Sequence, residues 1–135
     1  MSPLHVLHVD DEPDIRAIVE MSLQRDPNVT VQGCASGADA LKVAREGVPD
    51  LILLDVMMPD MDGPTMLRHL RESPSTANIP VVFMTARTQT REIEHFRSLG
   101  AVGVISKPFD PMTLAVAVRR YSCLLYTSPS PRDRS

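Results

Sequence analysis

Five short apolar, β-rich runs, each followed by a segment with helical apolar spacing, constrain the fold of this 135-residue chain more than any other feature. LHVLHV (4–9) and VTVQGC (29–34) read as strands. LILLD (51–55) and IPVVFMT (79–85) are apolar at successive positions, as strands buried on both faces are. VGVIS (102–106) is the fifth run. Between them, Ile15, Ile18, Val19 and Leu23 recur at helical spacing after Pro13, and Ala40, Leu41 and Ala44 follow a Ser36–Asp39 capping pattern. Met66, Leu67 and Leu70 mark a third helix, and Ile93 and Phe96 a fourth that ends near Gly100. Asp110-Pro111 is a helix start, a side-chain cap followed by proline, for a fifth helix with Leu114, Val118 and Tyr121. Such alternation predicts one parallel sheet with helices on both faces. The units share no repeated sequence, which excludes a solenoid.

Length and composition narrow the class. A chain of this size forms one domain with a sizeable core. Hydrophobic residues at 43% and charged residues at 23% are ordinary for a globular protein. No apolar run approaches the ~20 residues that span a bilayer. The start, MSPLHVLHVDDE, lacks the basic and long apolar regions of a secretory signal. Cys34 and Cys123 make neither a disulfide framework nor a metal cluster. The expected compartment is the cytoplasm, with no membrane partner. Residues 1–122 carry 12 basic and 16 acidic residues, so nothing points to nucleic acid.

The composition changes at Cys123. CLLYTSPSPRDRS has no helical period and carries Pro129 and Pro131, so no packed element is expected there. CLLYTSPSPRD resembles the translation of a transposase-based sequencing adapter. The expectation is a native domain over residues 1–122 followed by a disordered, non-native tail over 123–135. Cys123 and Tyr126 then carry no functional argument, and the natural C-terminus is undefined.

In open α/β sheets, ligands bind outside the carboxyl ends of the strands. The first strand ends in Asp10, Asp11 and Glu12, the third in Asp55 and the fourth in Thr85, and the fifth runs into Lys107-Pro108. The sheet brings these together. Several carboxylates in one crevice repel each other and need a counterion. Carboxylate, carbonyl and water oxygens suit Mg²⁺, which is commonly bound together with phosphate. A metal, a lysine and a hydroxyl around one carboxylate meet the needs of phosphoryl transfer, with an aspartate able to act as nucleophile. Asp55, following the most apolar strand, is the candidate.

VDDEPDI, LILLDVMMPDMDG, VVFMTA and ISKPFD, in this order on these strand ends, resemble the receiver domain of two-component response regulators over roughly residues 4 to 121. The resemblance implies a three-layer, flavodoxin-like (βα)5 doubly wound sheet with strand order 2-1-3-4-5. It implies Asp55 as phosphoacceptor, Asp11 as direct Mg²⁺ ligand, Asp10 as its acidic neighbour, and the Met57 backbone carbonyl as a further ligand. Thr85 and Lys107 would hold the phosphoryl group, with a cis Lys107-Pro108 bond keeping Lys107 in place. It further implies a sensor histidine kinase or phosphotransfer protein as donor, and a signalling module that catalyses only its own phosphorylation and dephosphorylation. Phosphorylation would switch a partner-binding face built from the fourth helix, fifth strand and fifth helix, with a stand-alone regulator the preferred organisation.

One position departs from the family pattern. An aromatic residue often stands three places before the lysine; here it is Val104. Output would then rest on Thr85 and the loop from Ala86 to Thr90. Met57 and Arg87 occupy the variable places that tune phosphoryl lifetime in the family.

Other readings fit less well. A haloacid dehalogenase-like phosphatase expects a D-x-D nucleophile motif after the first strand and a late acidic pair. A flavodoxin-like FMN protein expects a Ser/Thr/Gly-rich phosphate cradle where this chain has Asp-Asp-Glu. A degenerate receiver, docking partners without phosphorylation, leaves the intact Asp11, Asp55, Thr85 and Lys107 set unexplained. Met57, Met58, Met61, Met66 and Met84 are expected to serve adaptable packing. His5 and His8 face opposite sides of a strand, and His69 and His95 are expected to face solvent. Cys34 is expected in the core, and Gly63 to serve the turn into the third helix.

Overall fold

The computed structural model describes residues 3–127, with side chains described through Ser122. The strands are β1 (Leu4–Val9), β2 (Val29–Cys34), β3 (Leu51–Asp55), β4 (Val81–Thr85) and β5 (Gly103–Ser106). The helices are α1 (Pro13–Leu23), α2 (Gly37–Glu46), α3 (Gly63–Glu72), α4 (Thr90–Ser98) and α5 (Leu114–Thr127). All neighbouring strands pair in parallel, in the order β2-β1-β3-β4-β5. This is the doubly wound (βα)5 sheet that the alternation and the family resemblance imply.

Two apolar layers follow from the period-2 alternation of strand side chains. On one face, Leu7, Val9, Ile52, Leu54, Val81 and Phe83 pack with α2, α3 and α4 through Leu41, Met66, Leu67, Leu70 and Phe96. On the other, Leu4, Val6, Leu51, Leu53, Val82 and Met84 pack with α1 and α5 through Val19, Leu23, Leu114 and Val118. β3 and β4 are buried along their whole length, as their continuous apolar runs predict. Phe83 and Phe96 meet edge-to-face at 5.0 Å, tying α4 to the sheet.

Several local expectations hold at the residue level. Pro13 opens α1. The Ser36 side chain accepts from the Asp39 N–H and caps α2. Gly100 takes φ +112°, the left-handed conformation that suits glycine after a helix. Gly63 has a stricter reason than turn chemistry. A Cβ there would stand 2.9 Å from both the Asp55 carbonyl oxygen and the Phe83 ring.

Other expectations need correction. β4 starts at Val81 rather than Ile79, and β5 at Gly103 rather than Val102. α5 starts at Leu114, not Pro111. Asp110 does accept from a nearby backbone N–H, that of Met112, but closes a turn over 111–113 before the helix. Ile18, assigned to the apolar stripe of α1, is 41% exposed. The backbone of α5 runs on to Thr127, past the compositional break at Cys123. CLLYT contains neither glycine nor proline, so nothing in its backbone chemistry stops a helix before the proline at 129. The rest of the expected tail, 128–135, lies outside the described residues.

Candidate functional site

β1 and β3 are adjacent in the sheet although β2 lies between them in sequence. The strand order therefore reverses at β1, and a crevice opens above the carboxyl ends of β1 and β3. Asp10 follows β1 directly and Asp55 is the last residue of β3. Both are buried, whereas Asp11 on the β1–α1 loop lies closer to solvent. Each of the three aspartates offers an oxygen within 4.8 Å of the others.

Lys107 reaches this cluster from the loop after β5. Its Nζ donates to Asp10 Oδ2 at 2.9 Å and to Asp55 Oδ1 at 3.1 Å. The lysine backbone is held as well, since its N–H donates to the Thr85 carbonyl at 2.9 Å. The Lys107-Pro108 peptide is cis. Thr85, at the end of β4, is buried, and its Oγ1 accepts from the Arg87 N–H at 3.0 Å. Met57 lies on the loop after Asp55, and its N–H donates to Asp55 Oδ1 at 3.4 Å. All six residues singled out from the sequence thus lie at one end of the sheet, on four separate connections.

The electrostatics follow from this packing. Burial raises the Asp55 pKa, Asp10 raises it further, and the Lys107 ammonium opposes both without reversing the shift. For Lys107, burial works against the charged form. The hydrogen bonds to Asp10 and Asp55 outweigh burial, so its pKa moves up. Lys107 stays an ammonium, and the carboxylates around it remain short of positive charge. Three hard oxygen donors at this spacing suit a divalent cation such as Mg²⁺.

Besides the Lys107–Asp10 bond, two features of the site were not anticipated. Arg16 on α1 donates from Nη1 to the Asp10 carbonyl at 2.6 Å, pinning the first turn of the site. His8, expected to be unremarkable, is 1% exposed, and its Nε2 has no partner among the described residues. Burial lowers its pKa to about 4, Asp10 counteracts, and Lys107 and Arg16 reinforce the fall. The period-2 alternation did signal its burial, since His8 shares its face with Leu4 and Val6. Met57 is also corrected. It is 74% exposed beside the site, whereas Met66 and Met84 are fully buried and Met58 and Met61 pack on the core.

Residues 6–119 match the response regulator receiver domain family. The chain belongs to that family. It is 37% identical over 117 residues to response regulator Rre1 of Synechocystis, covering 87% of this chain and 51% of the relative. It is 38% identical to a protein-glutamate methylesterase/protein-glutamine glutaminase of Koribacter versatilis, covering 85% of this chain and 32% of the relative. The receiver thus spans about half or less of these two curated relatives. Among solved structures, the chemotaxis protein CheY4 of Vibrio cholerae superposes with a TM-score of 0.81 at 32% identity, covering 89% of this chain and 99% of that one. This receiver is a two-component signalling module. Among the described residues, none of its helices is long and apolar enough to cross a membrane.

Proposed function

We propose that this receiver takes a phosphoryl group from the phosphohistidine of a sensor histidine kinase or phosphotransfer protein onto Asp55, in a Mg²⁺-dependent reaction. The observation that carries the reading is the Lys107 ammonium, 3.1 Å from Asp55 inside a cluster of three aspartates. An Asp55 carboxylate oxygen forms the new bond to phosphorus while the bond from phosphorus to the donor's imidazole nitrogen breaks, and that nitrogen keeps the electron pair. Asp10, Asp11, Asp55 and the Met57 carbonyl would hold the metal. Bound there, Mg²⁺ supplies positive charge to the carboxylates and to the phosphoryl oxygens.

The chain's own residues have distinct tasks. Asp55 must be ionised to attack, yet burial and Asp10 favour its protonated form, so the cation on Lys107 keeps the nucleophile available. After transfer, the same ammonium faces the new phosphoryl oxygens. Thr85 supplies a hydroxyl at the end of the neighbouring strand, and the Ala86–Thr90 loop adjusts with it. The face formed by α4, β5 and α5 then changes its affinity for a partner.

We read the receiver as a cytoplasmic switch whose chemistry is confined to its own phosphorylation and dephosphorylation. Its domain is assigned to residues 1–122. Residues from Cys123 on are read as foreign to it, on the change of composition at that point.

Intact-mass spectrometry after incubation with Mg²⁺ and acetyl phosphate tests this. One added phosphoryl group in the parent, lost with chelator and lost in Asp55→Ala, is the expected result. No adduct in a folded sample that binds Mg²⁺ overturns it in favour of phosphorylation-independent docking.

A further inference from the structure

β5 is a four-residue edge strand that, among the described residues, pairs only with β4. The Lys107 N–H bonds the Thr85 carbonyl, so by alternation residues 103, 105 and 107 face β4 and Val104 faces the open edge. That outward carbonyl does have a partner. Tyr121 on α5 donates its hydroxyl to the Val104 oxygen at 3.2 Å. The hydroxyl end of the ring comes close to β5 because residue 103 is glycine. A Cβ at Gly103 would collide with Cε1, Cζ and the hydroxyl oxygen of Tyr121. Gly103 and Tyr121 are thus one fitted contact between strand and helix, and neither residue was singled out for it by sequence patterning.

The bonded Val104 carbonyl is three residues before Lys107, which follows the end of β5. A continuous path runs from Asp55 to the Lys107 ammonium, along the β5 backbone to the Val104 carbonyl, and across to Tyr121. Val104, small and half-buried, offers no aromatic ring that can change place. The Lys107 backbone is bonded to the end of β4 and follows β5 directly, so a shift of that backbone reaches β5, whose Val104 carbonyl Tyr121 holds.

We propose that Tyr121 is a positioning residue that transmits the state of the Asp55 pocket to α5 through the edge of β5. The proposal rests on the phosphoacceptor reading above and adds the route by which that site moves a distant helix.

The test is amide NMR of the full chain, with beryllofluoride and Mg²⁺ as the phosphoryl mimic, comparing the parent with Tyr121→Phe. The ring is retained in the variant, so packing over Gly103 survives and only the bond to β5 is lost. In the parent, amide resonances of 103–107 and 117–121 are expected to shift together. In Tyr121→Phe, the shifts at 103–107 should persist while those at 117–121 fall at least twofold. Gly103→Ala, which pushes the ring away and keeps the hydroxyl, should reduce the α5 response likewise. Full α5 shifts in Tyr121→Phe overturn the proposal, as does a parent that responds at Lys107 but not in α5. A parent silent at both Asp55 and Lys107 overturns the phosphoacceptor reading and this coupling with it. Mass-detected phosphorylation of Tyr121→Phe should match the parent, which separates lost coupling from lost chemistry.

Discussion

The ammonium of Lys107 stands 3.1 Å from Oδ1 of Asp55, across 52 residues of chain. It is the side-chain cation that opposes the upward pull of burial and of Asp10 on the Asp55 carboxyl. Lys107→Met removes it and leaves both upward influences in place. The Asp55 carboxyl should then titrate at higher pH than in the parent, read by carboxyl-carbon NMR in metal-free buffer. An unchanged titration curve would falsify the role given to Lys107.

Metal binding should stabilise the fold, because the aspartate cluster assembles only when the sheet does. A ligand at ten times its Kd adds about 1.4 kcal/mol by mass action. Mg²⁺ titration should therefore raise the unfolding midpoint, and chelator should reverse the rise. Asp11→Asn removes one of the three carboxylates and should require several-fold more Mg²⁺ for the same increment. If the mutant's response to Mg²⁺ equals the parent's, Asp11 is no ligand.

Gly63→Ala tests the close approach beneath the site. The added methyl meets the Asp55 carbonyl oxygen and the Phe83 ring at 2.9 Å and the Val56 Cα at 3.1 Å, and backbone cannot yield as a side chain tip can. Overpacking of this kind costs about 1–3 kcal/mol. Urea denaturation should show that loss, and a midpoint equal to the parent's would remove the steric explanation for glycine there.

His8 makes the metal-free protein acid-sensitive. Its pKa is about 4 in the fold against 6.5 as the ordinary value, so the unfolded chain binds more protons between these limits. Stability therefore rises with pH across that window and is lost as pH falls from about 6.5 toward 4. The full loss from neutral pH to below the folded pKa is on the order of 3 kcal/mol. His8→Leu puts an apolar side chain on the face shared with Leu4 and Val6. It should flatten the difference between urea midpoints at pH 7 and pH 5. If the variant keeps the parent's slope, the acid sensitivity lies elsewhere.

Arg71 closes the opposite end of the molecule. Its guanidinium donates to the Ile79 carbonyl at 2.8 Å and to the Gly100 carbonyl at 3.2 Å, joining α3 to the approach to β4 and to the end of α4. Arg71→Leu leaves the Ile79 carbonyl of a buried residue without this donor, at a cost of about 1–3 kcal/mol, while the carbonyl of exposed Gly100 turns to water. Calorimetry should show a Tm several degrees lower, while Mg²⁺ binding at the far end of the sheet stays as in the parent.

Much of this receiver can be read without coordinates. Apolar period-2 and continuous runs alternating with helical spacing prescribe parallel strands with helices between them, because each pattern buries its apolar side chains in only one kind of element. Placing Asp10, Asp11, Asp55, Thr85 and Lys107 at strand ends follows from the same patterning, since strand ends are marked by where the apolar run stops. Three other things came only with the folded structure, two of them tertiary and one a local turn. The direct bond from Lys107 to Asp10 depends on how β5 and β1 are spaced across the sheet, a distance that no local pattern encodes. The start of α5 at Leu114 reflects a turn closed by Asp110, a competitor that cap and proline statistics do not distinguish from a helix start. The fit of Tyr121 over Gly103 joins an edge strand to a helix through shape and one hydrogen bond. Local propensity reads a residue against its neighbours in the chain, whereas this contact exists only after both elements have docked on the same sheet.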